Sequence, residues 1–168
     1  MGYFSSGKEL KFMIRLATPD DISGIASLFH DTVRRVNSHD YAPAQIEAWA
    51  GVRPNEEKWR ARKAKRTTFV DEQDGAIRGF AELEEGGHVG AVYVNADYQN
   101  QGIASRLLER IELEAAIQGV DCLYTEASIT AQPFFERRGF ETIAAQDVEY
   151  AGTTFRNYRM RKRMPNSE

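Results

Sequence analysis

The sequence predicts one mixed α/β layer domain, and three observations carry that expectation. An early stretch has apolar residues at helical spacing. A middle stretch holds three successive strand-like runs. The last third alternates strands with two helices, each followed by a glycine. The expected order is β-α-α-β-β-β-α-β-α-β-β, with one extra short helix ahead of the middle strands. At 168 residues the chain suits a single domain with a sizeable core.

Met1 to Phe12 are small, polar and unpatterned, and read as a leader or tail outside the domain, which is expected to span 13–163, with a short tail over 164–168. Met13 to Ala17 reads as a strand. Thr18-Pro19-Asp20-Asp21 then starts a helix: Thr18 caps, Pro19 suits the first helical position, and Asp21 completes a capping-box spacing at the positive end of the dipole. Ile22, Ile25, Phe29, Val33 and Val36 give that helix one buried stripe. Pro43 opens a second helix that stops at Gly51. Asn55 caps a third, strongly basic one reaching Lys65, expected to present a solvated face.

Thr67 to Gln73 and Ala76 to Leu83 are strands joined by Asp74-Gly75, a strong two-residue hairpin signal. Glu84 to Gly87 turns the chain into His88 to Val94, completing an antiparallel meander. Glu82 and Glu84 are expected on a solvated hairpin rim. A polar loop precedes a helix from Ile103 to Gln118, whose apolar stripe is Ile103, Leu107, Leu108, Ile111 and Ala115. Val120 to Ala127 is an apolar, central strand. Ala131 to Arg138 is a short helix, and Phe140 to Tyr150 with Thr153 to Arg161 form a closing hairpin around Ala151-Gly152.

Composition narrows the function. Lys+Arg is 22 and Asp+Glu is 25, a net charge of −3. That mild acidity argues against nucleic acid as a partner, which calls for a basic patch. The sole cysteine, Cys122, rules out an internal disulfide and points to a reducing cytoplasm. No apolar run approaches the ~18 residues of a membrane span. No His/Cys/Asp/Glu spacing suggests a metal.

The informative stretch is Val92-Tyr93-Val94-Asn95-Ala96-Asp97-Tyr98-Gln99-Asn100-Gln101-Gly102-Ile103-Ala104-Ser105, where a strand leads through a loop into a helix. The first N–H groups of a helix lack intrahelical partners and sit at its positive end. Gly102 and Ala104 lack bulk, so an anion can approach those groups closely. The nucleoside-triphosphate loop G-x-x-x-x-G-K-[ST] and the dinucleotide fingerprint G-x-G-x-x-G are both absent.

Gln-x-x-Gly-x-Ala after a β-meander resembles the phosphate-binding motif of the GNAT superfamily of acyl-CoA N-acyltransferases. The approach Val92-Tyr93-Val94-Asn95-Ala96-Asp97-Tyr98 and the late segment Ala131-Gln132-Pro133-Phe134-Phe135-Glu136-Arg137-Arg138-Gly139-Phe140 resemble it too. Together the likeness runs from about Met13 to Met160. It implies a single-domain GNAT-like fold with a mixed, splayed central sheet, in which the strands ending at Val94 and Ala127 lie parallel and part at one end. It further implies acetyl-CoA as cosubstrate. Its pantetheine arm would pair with backbone near Val92 and Val94, its pyrophosphate would sit on Gln101 to Ser105, and Ser128 and Phe135 would lie close by. The acceptor would be an amine on a small molecule or peptide, and dimers are common in the family.

Two positions depart from that pattern. Many members place a tyrosine, the acid for the leaving thiolate, where Phe135 stands, and an asparagine where Ser128 stands. Tyr124 shares a strand face with Ser128 and is a substitute acid to test, against the plainer expectation of a half-buried strand tyrosine. A base is needed because an amine is mostly protonated at neutral pH. Some members use a glutamate early on the strand before the motif; the corresponding position here is His88, whose parity matches Val92 and Val94. An imidazole with a pKa near about 6.5 suits the task. Glu82 and Glu84 are its rivals, and His30, His39, Tyr41 and Trp49 fall on the acceptor side, where core packing is the expected role of Trp49. The leading expectation is N-acetyl transfer by direct attack in a ternary complex. The alternative is a non-catalytic acyl-CoA-binding sensor.

Overall fold

The computed structural model describes residues 12–165. The leader read over Met1 to Phe12 therefore lies outside the described residues except for Phe12, which opens the first strand, and the tail read over 164–168 is described only to residue 165.

The chain starts with β1 (Phe12–Leu16), a one-turn 3₁₀ segment over Pro19–Asp21, and α1 (Ile22–Arg35). Asp21 anchors this entry. Its carboxylate accepts the Thr18 N–H at 2.7 Å and two bonds from Arg15, at 2.7 and 3.0 Å. The Arg15 guanidinium is the main reason the Asp21 carboxyl titrates below the usual range. Next come α2 (Pro43–Ala50) and α3 (Glu56–Lys65), the latter capped by the Asn55 side chain accepting the Lys58 N–H at 3.0 Å.

Strands β2 (Thr67–Gln73), β3 (Ala76–Leu83) and β4 (Val89–Val94) form the expected meander, and β1 adds antiparallel to β2, giving the order β1-β2-β3-β4. Asp74 and Gly75, at φ 51° and 82°, make the tight turn between β2 and β3. Then follow α4 (Ile103–Ile117), β5 (Cys122–Ser128), α5 (Gln132–Arg137), β6 (Glu141–Tyr150) and β7 (Thr153–Arg163). The second sheet is antiparallel in the order β5-β7-β6. β5 is thus the edge of a three-stranded sheet and the centre of the whole, because it touches β4 through a parallel bridge between His88 and Tyr124.

Helices cover both faces. On one, Leu107, Leu108, Ile111 and Ala115 of α4 are buried against Phe69, Ala81, Leu83, Leu123 and Met160. On the other, Ile22, Ile25, Phe29 and Val33 of α1 pack with Trp59 and Phe80. Each such leucine or isoleucine contributes about 1.5–3 kcal/mol by leaving water. The basic helix α3 departs from expectation. Its Trp59 is 2% exposed, and Arg62 reaches across the sheet to the buried Glu82, so α3 packs instead of presenting only a solvated face. Among the described residues no helix is long and apolar enough to cross a membrane.

Candidate active site

The two sheets meet at one place and part beyond it. Tyr124 donates its N–H to the Gly87 carbonyl at 3.1 Å, and the Thr125 hydroxyl donates to the Val89 carbonyl at 2.9 Å. A Cβ on Gly87 would fall 2.4 Å from the Cys122 carbonyl oxygen, so a side chain there would force the strands apart. Past this contact β4 and β5 splay, and a cavity of about 610 Å³ opens between them, bounded by Gly90 to Val94, Thr125 to Ser128, and residues of α1, α2 and α3.

A bulge shapes the wall. Pairing steps from Glu82↔Ala91 to Leu83↔Val89, leaving Gly90 as the extra residue. Side-chain parity therefore flips at Gly90. Val89, Val92 and Val94 face α4, while Ala91 and Tyr93 face the N-terminal helices. The expected shared parity of His88 with Val92 and Val94 is corrected by this: His88 lies on the opposite face, with Tyr124 and Glu126. The Asn95 N–H bonds the Arg78 carbonyl on β3 at 2.7 Å. By alternation, Val92 and Val94 then turn their backbone groups toward the gap. The Val94 carbonyl is already taken by Thr32 at 3.1 Å and Gln99 at 2.7 Å.

The loop after β4 is braced from within. Asn95 caps a one-turn 3₁₀ segment, Ala96–Tyr98, by accepting the Asp97 N–H at 2.9 Å, and the Gln99 amide holds the Val94 carbonyl. Gly102 then adopts φ 78°, ψ 9°, a left-handed conformation natural to glycine, and no side chain caps α4. The N–H groups of Ile103, Ala104 and Ser105 are left facing outward at the positive end of a 15-residue helix. Arg138 donates to the Ser105 hydroxyl, and Arg137 also borders the cavity.

Most residues singled out for the cofactor border this cavity: Val92, Val94, Gln99, Asn100, Gly102, Ile103, Ala104, Ser105, Ser128 and Phe135. Gln101 does not; it is exposed, with its carbonyl accepting from Arg106 at 3.2 Å. The Ser128 hydroxyl accepts the Ala131 N–H at 3.1 Å. Phe135 is buried against Phe134 and Phe140, at centroid distances of 5.3 and 5.0 Å.

The residues singled out for proton transfer sit beside the cavity rather than in it. His88 is stacked on Tyr124 at 4.9 Å, with Nε2 2.5 Å from Glu126 Oε2 and Nδ1 3.3 Å from Glu84 Oε1. Neither His88 nor Tyr124 borders the cavity, but Glu126 does. Glu126 was not singled out in sequence, although its alternation with Tyr124 and Ser128 places it on the same face. Glu82 is no solvated rim residue: it is 1% exposed and accepts from Arg62 at 2.6 Å and Arg66 at 3.2 Å. Glu84 does stand nearer solvent and pairs with Arg66.

The far wall is aromatic. Phe29, Tyr41, Trp49, Trp59, Tyr93 and Phe155 border it, so Trp49 packs and lines the cavity at once. Burial raises the Tyr93 and Tyr41 phenols above their ordinary pKa, so both hold their protons. Lys58 lies among these rings. Burial, with help from Arg62, pushes its ammonium below the usual lysine pKa. His30 sits outside the cavity against Gly51 and Arg34, and His39 is exposed.

Comparison with known proteins adds a family. Residues 37–162 match the acetyltransferase (GNAT) domain. The uncharacterized N-acetyltransferase YafP of Escherichia coli is 35% identical over 148 residues, covering 88% of this chain and 93% of that protein. A GCN5-related N-acetyltransferase structure from Rhodopseudomonas palustris superposes with a TM-score of 0.86 at 29% identity, over 90% of this chain and 94% of that one. The PaiA N-acetyltransferase of Thermoplasma acidophilum, solved with coenzyme A, shares the fold with a TM-score of 0.74 at 16% identity, over 91% of this chain and 99% of that one.

Proposed function

The chain belongs to the GNAT family of acetyltransferases and is an acyltransferase, and from that premise we propose that it transfers the acetyl group of acetyl-CoA to an amine by direct attack in a ternary complex. One observation carries the reading: the cavity in the β4/β5 splay runs onto the uncapped N-terminus of α4. A pantetheine arm and a pyrophosphate need those two features side by side.

The residues present fit that cosubstrate. The N–H groups of Ile103, Ala104 and Ser105 can donate to an anion without competition from a capping side chain, and Arg137 and Arg138 add charge beside them. The Val94 N–H and both backbone groups of Val92 supply the edge on which an extended amide pairs. The thioester brings an activated acyl group, with a thiolate as leaving group. Thiols have a pKa near about 8.5, so the thiolate departs at neutral pH with little help from an acid. Phe135 therefore closes the site without supplying a proton, and of the two candidate hydroxyls only Ser128 borders the cavity.

The amine is mostly protonated at neutral pH and must lose a proton to attack. We assign that step to the His88–Glu126 pair. Glu126 faces the cavity, and His88 behind it takes the proton on. The reaction would run in a reducing cytoplasm with Cys122 as a free thiol. Release of CoA thiol from acetyl-CoA over an amine panel tests the reading. It predicts thiol released one-for-one with acetylated amine. Acetyl-CoA binding with no amine-dependent thiol would mark a sensor module instead.

A further inference from the structure

Among the described residues, the cations on the acceptor side of the cavity are matched by carboxylates, with one exception. Arg62 pairs with Glu82, and Arg156 pairs with Asp147 at 2.7 Å. Lys58 has no ion pair among the described residues. Its Nζ lies 4.8 Å from the Phe29 ring centre, 5.4 Å from Trp59 and 5.9 Å from Tyr150, and it borders the cavity. Ring faces stabilise a cation by about 0.5–2 kcal/mol, but they do not neutralise it. A half-buried ammonium walled by aromatic side chains is still short of a counter-charge.

We propose that the acceptor amine also carries a carboxylate beside an apolar body, and that Lys58 receives that carboxylate. The proposal rests on the acyl-transfer reading above. Charge balance favours a carboxylate over a phosphate, because one ammonium meets one negative charge. The apolar body follows from the wall: the rings of Phe29, Trp59 and Tyr150 surround the Lys58 ammonium, and Tyr41, Trp49 and Phe155 border the same cavity. The lowered pKa of Lys58 is what an incomplete site would show, since a bound carboxylate would restore its charge. Glu126 borders the same cavity from β5 and suits the amine end of such a molecule. Lys58 thus sets specificity and takes no part in proton transfer.

The test uses the full chain at saturating acetyl-CoA. Leucine, methionine, phenylalanine and tryptophan are each assayed against their own amides, in wild type, Lys58→Met, Lys58→Gln and Lys58→Arg. Wild type should favour the free acids by at least ten-fold in kcat/KM. Lys58→Met and Lys58→Gln should erase that preference, mainly through KM. Lys58→Arg should keep part of it, and acetyl-CoA affinity should stay within two-fold throughout. Equal rates for acids and amides in wild type would overturn the proposal, as would a preference that survives in Lys58→Met. If no amine is acetylated at all, the acyl-transfer reading has failed separately. Calorimetry of the same acids and amides with the CoA-loaded protein then decides: acid-selective binding lost in Lys58→Met supports the carboxylate site, and equal or absent binding overturns it.

Discussion

His88 Nε2 lies 2.5 Å from Glu126 Oε2, across the bridge where β4 and β5 touch before they part. The pair joins the cavity between β4 and β5, which Glu126 borders, to a titratable ring outside it. Tyr124 stacks on the outer side of that ring at 4.9 Å.

If this pair takes the proton from the amine, removing either partner should slow turnover. We expect His88→Gln and Glu126→Gln each to lower kcat/KM by roughly 10²-fold. The double variant should be little worse than either single one, because the two act as a unit. The acid limb of the pH–rate profile should flatten in both, with acetyl-CoA affinity unchanged. Wild-type rates with an unmoved acid limb would leave bulk water as the base.

Glu82 is a different kind of carboxylate. It is buried between Arg62 and Arg66, so Glu82→Ala would leave Arg62 without its carboxylate and Arg66 with Glu84 alone. Breaking a buried pair in this way costs about 3–5 kcal/mol. Glu84→Ala, nearer the surface, should cost under about 1 kcal/mol. Urea denaturation of the two variants checks the contrast.

Phe135→Tyr tests the leaving-group argument. The ring borders the cavity, so a hydroxyl there has somewhere to point. We expect a folded protein with unchanged acetyl-CoA affinity and a kcat that does not fall. A large loss of kcat or of acetyl-CoA binding would mean that α5 does not lie beside the thioester.

Asp21 gives a pH signature. Its folded pKa is lowered, chiefly by the Arg15 hydrogen bond, so its stabilisation is complete above the ordinary carboxylate pKa of about 3.9 and fades as pH falls through the lower folded value. Asp21→Asn should cost about 2 kcal/mol near pH 7. The two unfolding curves should converge in acid, as the pH falls through that lowered folded value. A constant gap down to that pH would show that the charge is not what matters.

The sequence made much of this architecture legible because the signals were local. Asp74-Gly75 fixed a hairpin, Asn55 capped α3, and the α4 stripe matched the buried residues. The shape of the loop ahead of α4 was readable because it is backbone geometry around Gly102 and Ala104. Long-range facts were not readable. The Gly90 bulge reversed the parity of His88, and no spacing rule announces an extra residue in a strand. Glu82 read as rim because its partners, Arg62 on α3 and Arg66 just after it, come from well upstream. Glu126 was missed because half of an exposed, alternating strand face carries no signal until β4 arrives beside it. Lys58 was hidden by its basic neighbours, and only the packing of α3 shows which of them meet carboxylates.

The most direct measurement is calorimetric titration of acetyl-CoA into wild type and Gly102→Glu. Gly102 has φ 78° and opens α4, and a Cβ there would stand 3.3 Å from an Arg106 guanidinium nitrogen. A glutamate would place a carboxylate among the N–H groups meant for the pyrophosphate. If those groups hold the cosubstrate, Gly102→Glu should melt cooperatively yet bind acetyl-CoA at least ten-fold more weakly, about 1.4 kcal/mol. Unchanged affinity in a folded Gly102→Glu variant would contradict the account.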